Sequence, residues 1–170
     1  VSLAGVSYEG MARELLVNAL GRSILDHARL NRMGHPLIVI MDEAHNFLGR
    51  QIGDDDTAQR LDAFELMARE GRKYGVNLCL ATQRPRDLTD GVLSQMGTLI
   101  VHRLTNERDR EIVERSCGEV DRTASTFLPN LRPGEAVLIG VDFPIPLTMR
   151  IKAPRMRPCS DGPDYQKAWS

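Results

Sequence analysis

Leu37-Ile38-Val39-Ile40-Met41 runs straight into Asp42-Glu43. A strand with one wet face alternates apolar and polar residues. An unbroken apolar run such as this one suits a parallel strand covered on both faces. Gly34-His35-Pro36 breaks the chain just before it. Two adjacent carboxylates at the exit of such a strand are costly to bury, so they are expected where charge has a use. The run therefore calls for a layered α/β fold with two acids on the carboxyl edge of its sheet.

The flanking sequence supplies the layers. Val1 to Val6 alternates weakly and reads as a strand. Glu9 to Asn31 reads as a long helix whose apolar stripe is Leu16, Leu20, Ile24 and Ala28, flanked by Leu15, Ala19 and Leu25. Asn46 to Asp56 is a polar loop, and Asp56 or Thr57 can cap the next helix. That helix runs to Tyr74 and stops at Gly75, with Leu61, Phe64 and Ala68 as its apolar face. Val76 to Thr82 is the next strand, ended by Arg84-Pro85. Thr89 to Gln95 is a short helix and Leu99 to His102 a short strand. Glu107 to Ser116 and Asp121 to Phe127 read as helices. Ala136 to Val141 and Pro146 to Ile151 form a terminal hairpin, and an extended tail follows from Ala153. Strand and helix alternate over the first two-thirds, which implies a parallel sheet flanked by helices. Ligands in such folds bind at the carboxyl ends of the strands.

Composition excludes several classes. At 170 residues the chain fits one domain. Its 42% hydrophobic and 26% charged residues exclude disorder, collagen or coiled coil as a whole-chain description. The longest apolar run, Pro36 to Met41, is far short of the ~20 residues that span a bilayer, and no signal peptide is evident. A net charge of -1 carries no basic signature for nucleic acid, though a local patch is compatible with it. Cys79, Cys117 and Cys159 form no pattern, which suits a reducing, cytoplasmic compartment; Cys79, inside an apolar run, is expected to be buried. His27, His35, His45 and His102 have no metal-ligand spacing. The chain opens on Val1 in strand-like sequence, so a piece of a longer protein is expected.

The strand ends carry the chemistry. In nucleoside triphosphatases an acid placed like Asp42 holds Mg²⁺ through the ion's water shell. The next acid, Glu43, can polarise an attacking water. As a plain structural feature, the pair would only start a surface loop. Thr82-Gln83-Arg84 ends the second strand. Gln83 there can orient the water or sense a γ-phosphate, and Arg84 joins Asp42, Glu43 and Gln83 as a nucleotide contact. Arg69 and Arg72 lie on a polar helix face with Asp62 and Glu65. That face is either solvated, with a Glu65–Arg69 pair, or presents an arginine to phosphate, in cis or across a subunit interface. Arg103, after the strand Leu99 to His102, is a further candidate at the same sheet edge. No G-x-x-x-x-G-K-S/T occurs anywhere.

Asp42-Glu43-Ala44-His45 spells the box of DEAH helicases, and Ala81-Thr82 echoes their S-A-T motif. The chain lacks the Q-R-x-G-R motif and second domain of those enzymes. Four ordered segments carry a closer likeness: LIVIMDEAHNFL (37–48), AREGRKYG (68–75), LATQRP (80–85) and LSQMGTLIVHRLTN (93–106). With the ending LRPGEAVLIGVDFPIPLTMRI (131–151), they resemble the HerA branch of the HerA/FtsK ATPases. The likeness covers residues 1–151.

The resemblance implies a RecA-like P-loop NTPase core, an α/β fold ending in a β-hairpin, with its Walker A half absent here. It places residues 1–152 in the C-terminal part of a motor domain and 153–170 in a tail. It implies ATP and Mg²⁺ as cofactors, with Asp42 and Glu43 as the Walker B pair, Glu43 as the catalytic carboxylate and Gln83 as the polar sensor. Arg69 or Arg72 would act on a nucleotide, that of the neighbouring subunit. It implies a hexameric ring that translocates double-stranded DNA, working with a NurA-like nuclease or a defence effector. Two alternatives stand beside it: a conjugation or FtsK-type DNA pump, and a non-hydrolysing ring scaffold.

Overall fold

A computed structural model of the chain describes residues 5–6, 12–30, 34–48, 62–116, 126–141 and 143–156. Several expectations from the sequence fall mainly or wholly outside them: the opening strand, the polar loop from Asn46 to Asp56, the capped start of the second helix with Leu61, the helix from Asp121 and the tail beyond residue 156.

The elements are α1 (Ala12–Arg29), β1 (Leu37–Met41), α2 (Ala63–Glu70), β2 (Val76–Leu80), α3 (Asp90–Leu93), β3 (Thr98–Val101), α4 (Glu107–Ser116), β4 (Glu135–Gly140) and β5 (Phe143–Arg150). Short 3₁₀ turns follow β1, α2 and β2. The result is mixed α/β. β1 and β2 pair in parallel, with Leu37 opposite Val76 and Met41 opposite Leu80. β3, β4 and β5 form an antiparallel sheet in that order.

β3 is thus not a third member of the β1–β2 ladder, as the alternating pattern implied. It pairs with the terminal hairpin, Thr98 opposite Gly140 and Val101 opposite Val137. Arg103 follows a strand of this second sheet, so it does not share the edge that carries Asp42 and Gln83. β4 packs so closely on the turn before β3 that a Cβ on Gly140 would stand 2.3 Å from the Gly97 carbonyl oxygen.

α1 and α2 lie together over one face of the parallel pair. Buried Ala28, Met41, Ala44, Phe64, Met67, Val76, Leu88 and Val92 belong to this core, with Val17, Ile24, Val39 and Leu78 partly buried against it. The packed face of α1 is rotated from the expected stripe. Gly21, Leu25 and Ala28 are buried, whereas Leu15, Leu16 and Leu20 are exposed. Gly21 sets this rotation: a Cβ there would lie 2.9 Å from the Phe64 ring, so the helices meet along the glycine. On α2, Phe64 is buried as expected and Ala68 half-buried, but Met67 fills the centre.

β1 is covered on one face only. Val39 is half-buried and Met41 buried, while Ile38 and Ile40 are 63% and 72% exposed. Cys79, opposite Ile40 in the ladder, shares that open face and is exposed. The expectation that Cys79 is buried was wrong for this reason: no described layer covers its side of the sheet. A second core joins Val101, Val113, Leu128, Leu131, Val137 and Ile139 between α4 and the antiparallel sheet.

Candidate functional site at the parallel strand ends

The parallel register brings Met41 and Leu80 level, so Asp42 and Ala81 leave the sheet side by side. Two backbone bonds extend the ladder past the strands. Ala81 N–H donates to the Met41 carbonyl at 2.9 Å, and Ala44 N–H donates to the Ala81 carbonyl at 2.9 Å. Ala44 is fully buried. The turn after β1 is therefore pinned to the exit of β2.

Glu43 makes that turn in the left-handed region, φ 47 and ψ 46. Among the described residues it is the one non-glycine with positive φ. A side chain in this region costs roughly 1–2 kcal/mol, and such strain gathers where a side chain must be aimed. The Glu43 N–H donates to Asp42 Oδ1 at 3.0 Å. The Glu43 carboxylate turns toward β2, where Gln83 Nε2 donates to its Oε1 at 2.8 Å. His45 Nδ1 stands 3.3 Å from Oε2 and 3.0 Å from the Thr82 hydroxyl. That hydroxyl also accepts the Arg84 N–H at 3.0 Å.

The structure thus gathers Asp42, Glu43 and Gln83 at one edge. Arg84 begins the next 3₁₀ turn, 3.9 Å from Asp87, and makes no described contact with Glu43. Asp109, buried on α4, accepts the Arg86 N–H at 3.4 Å and ties this loop to α4. Neither Arg69 nor Arg72 has a described contact with Asp42, Glu43 or Gln83. Arg69 pairs with Glu65 at 3.4 Å, and Arg72 is exposed on the turn that enters β2. The length of β2, about 15 Å at ~3.3 Å per residue, separates that entry from the exit at Gln83.

His45 and Thr82 were not among the candidates from sequence. Their meeting depends on the β1–β2 register, which spacing along the chain does not reveal. Only the spelling of the D-E-A-H box drew notice to His45.

Chemically, Glu43 presents a carboxylate that can take a proton from water, beside an amide that can hold the same water. Asp42 is exposed, with one oxygen engaged by its neighbour's N–H. Among the described residues no three His, Cys, Asp or Glu side chains gather as a metal cage. A lone carboxylate facing an ion's water shell is the donor set suited to nucleotide-borne Mg²⁺.

Residues 32–132 match the family described as helicase HerA-like C-terminal. A DNA double-strand break repair helicase HerA of Pyrococcus furiosus is 36% identical over 119 residues, covering 70% of this chain and 21% of that protein. The chain thus spans about a fifth of that relative's length. The genome packaging NTPase of Sulfolobus turreted icosahedral virus 2, solved with sulfate, superposes with a TM-score of 0.64 at 16% identity, covering 86% of this chain and 66% of that one. The conjugation coupling protein TcpA of pCW3, solved with an ATP analogue, gives 0.61 at 19% identity, covering 81% and 44%. The chain shares the fold of these two proteins, and it belongs to the helicase HerA-like C-terminal family.

Proposed function

We propose that the chain is the C-terminal half of the ATP-hydrolysing motor domain of a HerA-like DNA translocase. The observation that carries this reading is the Glu43 carboxylate, turned back by a left-handed residue and hydrogen-bonded by Gln83 across two parallel strand ends. ATP with Mg²⁺, when bound, supplies the phosphoryl group and the charge that stabilises its transfer. Asp42 holds the ion's water shell. Glu43 takes the proton of the attacking water, and Gln83 orients that water and senses the γ-phosphate. Arg84 adds charge at the rim. The phosphate-cradling loop comes from outside these residues.

Arg69, held by Glu65, or Arg72, at the entry of β2, serves the site of the neighbouring subunit in a hexameric ring. The ring acts on double-stranded DNA in the cytoplasm, with a NurA-like nuclease or a defence effector as partner. No helix among the described residues is long and apolar enough to cross a membrane. A conjugation or FtsK-type pump is the second reading, favoured by the likeness to the coupling protein.

Glu43→Gln in the complete protein tests the assignment. Gln keeps the shape but cannot accept the proton, so ATP still binds while turnover falls by ~10²–10⁴-fold. Turnover at the wild-type rate removes Glu43 from catalysis. A wild-type protein that forms rings but does not hydrolyse ATP would favour a scaffold.

A further inference from the structure

The Glu43 carboxylate has two unlike oxygens. Oε1 accepts a hydrogen bond from Gln83, which is itself exposed. Oε2 is buried from solvent and has no hydrogen bond of good geometry. The side chain as a whole is 40% exposed, so that exposure lies away from Oε2. A buried carboxylate oxygen left unpaired is costly, and such atoms call for an explanation. His45 Nδ1 stands 3.3 Å from it, on a ring whose side chain is only 14% exposed.

His45 is itself held. Its Nδ1 lies 3.0 Å from Thr82 Oγ1, and Thr82 belongs to the exit of β2, the same segment that carries Gln83. With its proton on Nδ1, the ring faces both Oγ1 and Oε2 as a donor. With Nδ1 bare, a lone pair would face the carboxylate. The first tautomer keeps an N–H, engaged with Oγ1, at 3.3 Å from Oε2, a contact of favourable sign though not an aligned hydrogen bond.

We propose that His45, fixed by Thr82, is a positioning residue that anchors Oε2 of Glu43 and leaves Oε1, beside Gln83, as the oxygen that meets the attacking water. This rests on Glu43 being the catalytic carboxylate. Its basis is geometric: displacement of a catalytic group by ~1 Å can cost about 10²-fold in rate. An anchor of this kind is expected to act on turnover and not on nucleotide affinity, because the contacts of His45 are with Glu43 and Thr82.

The test is steady-state ATP hydrolysis by the complete protein. His45→Ala is expected to lower kcat by ~10–100-fold with KM for ATP changed by less than about 2-fold. His45→Asn places an amide where Nδ1 stands and is expected to recover much of the loss; His45→Gln places it at the Nε2 position and is expected not to. Thr82→Val, which keeps shape and removes the hydroxyl, should lower kcat in the same way, and combining it with His45→Ala should add little. Thr82→Val also serves where His45→Ala fails to fold. Wild-type kcat in His45→Ala, or equal losses in the Asn and Gln variants, overturns the proposal while an inactive Glu43→Gln leaves the motor reading standing. An active Glu43→Gln overturns both.

Discussion

Glu43 is where backbone strain, charge and the proposed function meet. Its left-handed conformation is unfavourable locally, yet it is what carries the carboxylate from the exit of β1 to the exit of β2. The positions of Asp42, Glu43 and Gln83 at strand ends were legible in the sequence because each stands within three residues of an apolar run, and a strand end is a place that a run predicts. His45 and Thr82 were not, since 37 residues separate them and only the Met41–Leu80 register brings them together. Cys79 was misjudged because burial depends on a facing layer that no local pattern encodes. Gly140 gives a prediction at this scale. The atom in its way is backbone, with the Gly97 carbonyl oxygen 2.3 Å from a built Cβ and already accepting the Val141 N–H at 3.0 Å. Gly140→Ala is therefore expected to destabilise the protein by ~1–3 kcal/mol, read as a lower thermal midpoint. An unchanged midpoint would mean the β3–β4 contact is looser than described.

Among the elements, the alternation of strand and helix was readable, and so was the terminal hairpin. Their pairing was less so. A short apolar run such as Thr98–Val101 is compatible with either sheet, and its antiparallel partner lies some 40 residues on. The face of α1 was also ambiguous. Leu16 and Leu20 have the right spacing for a core stripe, but Gly21 admits the Phe64 ring and turns a neighbouring face inward. Element geometry bears on the arginines as well. Arg72 lies on the turn that enters β2, at the opposite end of that strand from Gln83, and Arg69 on α2 is held by Glu65. If one of them completes a neighbour's site, its replacement by Ala lowers turnover by ~10³-fold or more. Mixing that variant with Glu43→Gln subunits is then expected to restore activity, because some interfaces unite an intact Glu43 with an intact arginine. Mixtures no more active than either variant would place the arginine's action in its own subunit, or outside catalysis.

At the scale of the whole molecule, the open face of the parallel pair is informative. Ile38, Ile40 and Cys79 lie side by side with nothing described over them. An unbroken run from Leu37 to Met41 is the pattern of a strand covered twice, and the described residues cover it once. We propose that the Asp42–Glu43–Gln83 edge is the hydrolytic half of an ATP-driven, DNA-translocating motor whose phosphate-binding half lies outside these residues. ATP hydrolysis measured side by side for the complete protein and for residues 1–170, each with and without double-stranded DNA, tests it most directly. The account predicts turnover by the complete protein alone, raised by DNA. Equal hydrolysis by residues 1–170, or none by the complete protein under either condition, would contradict it.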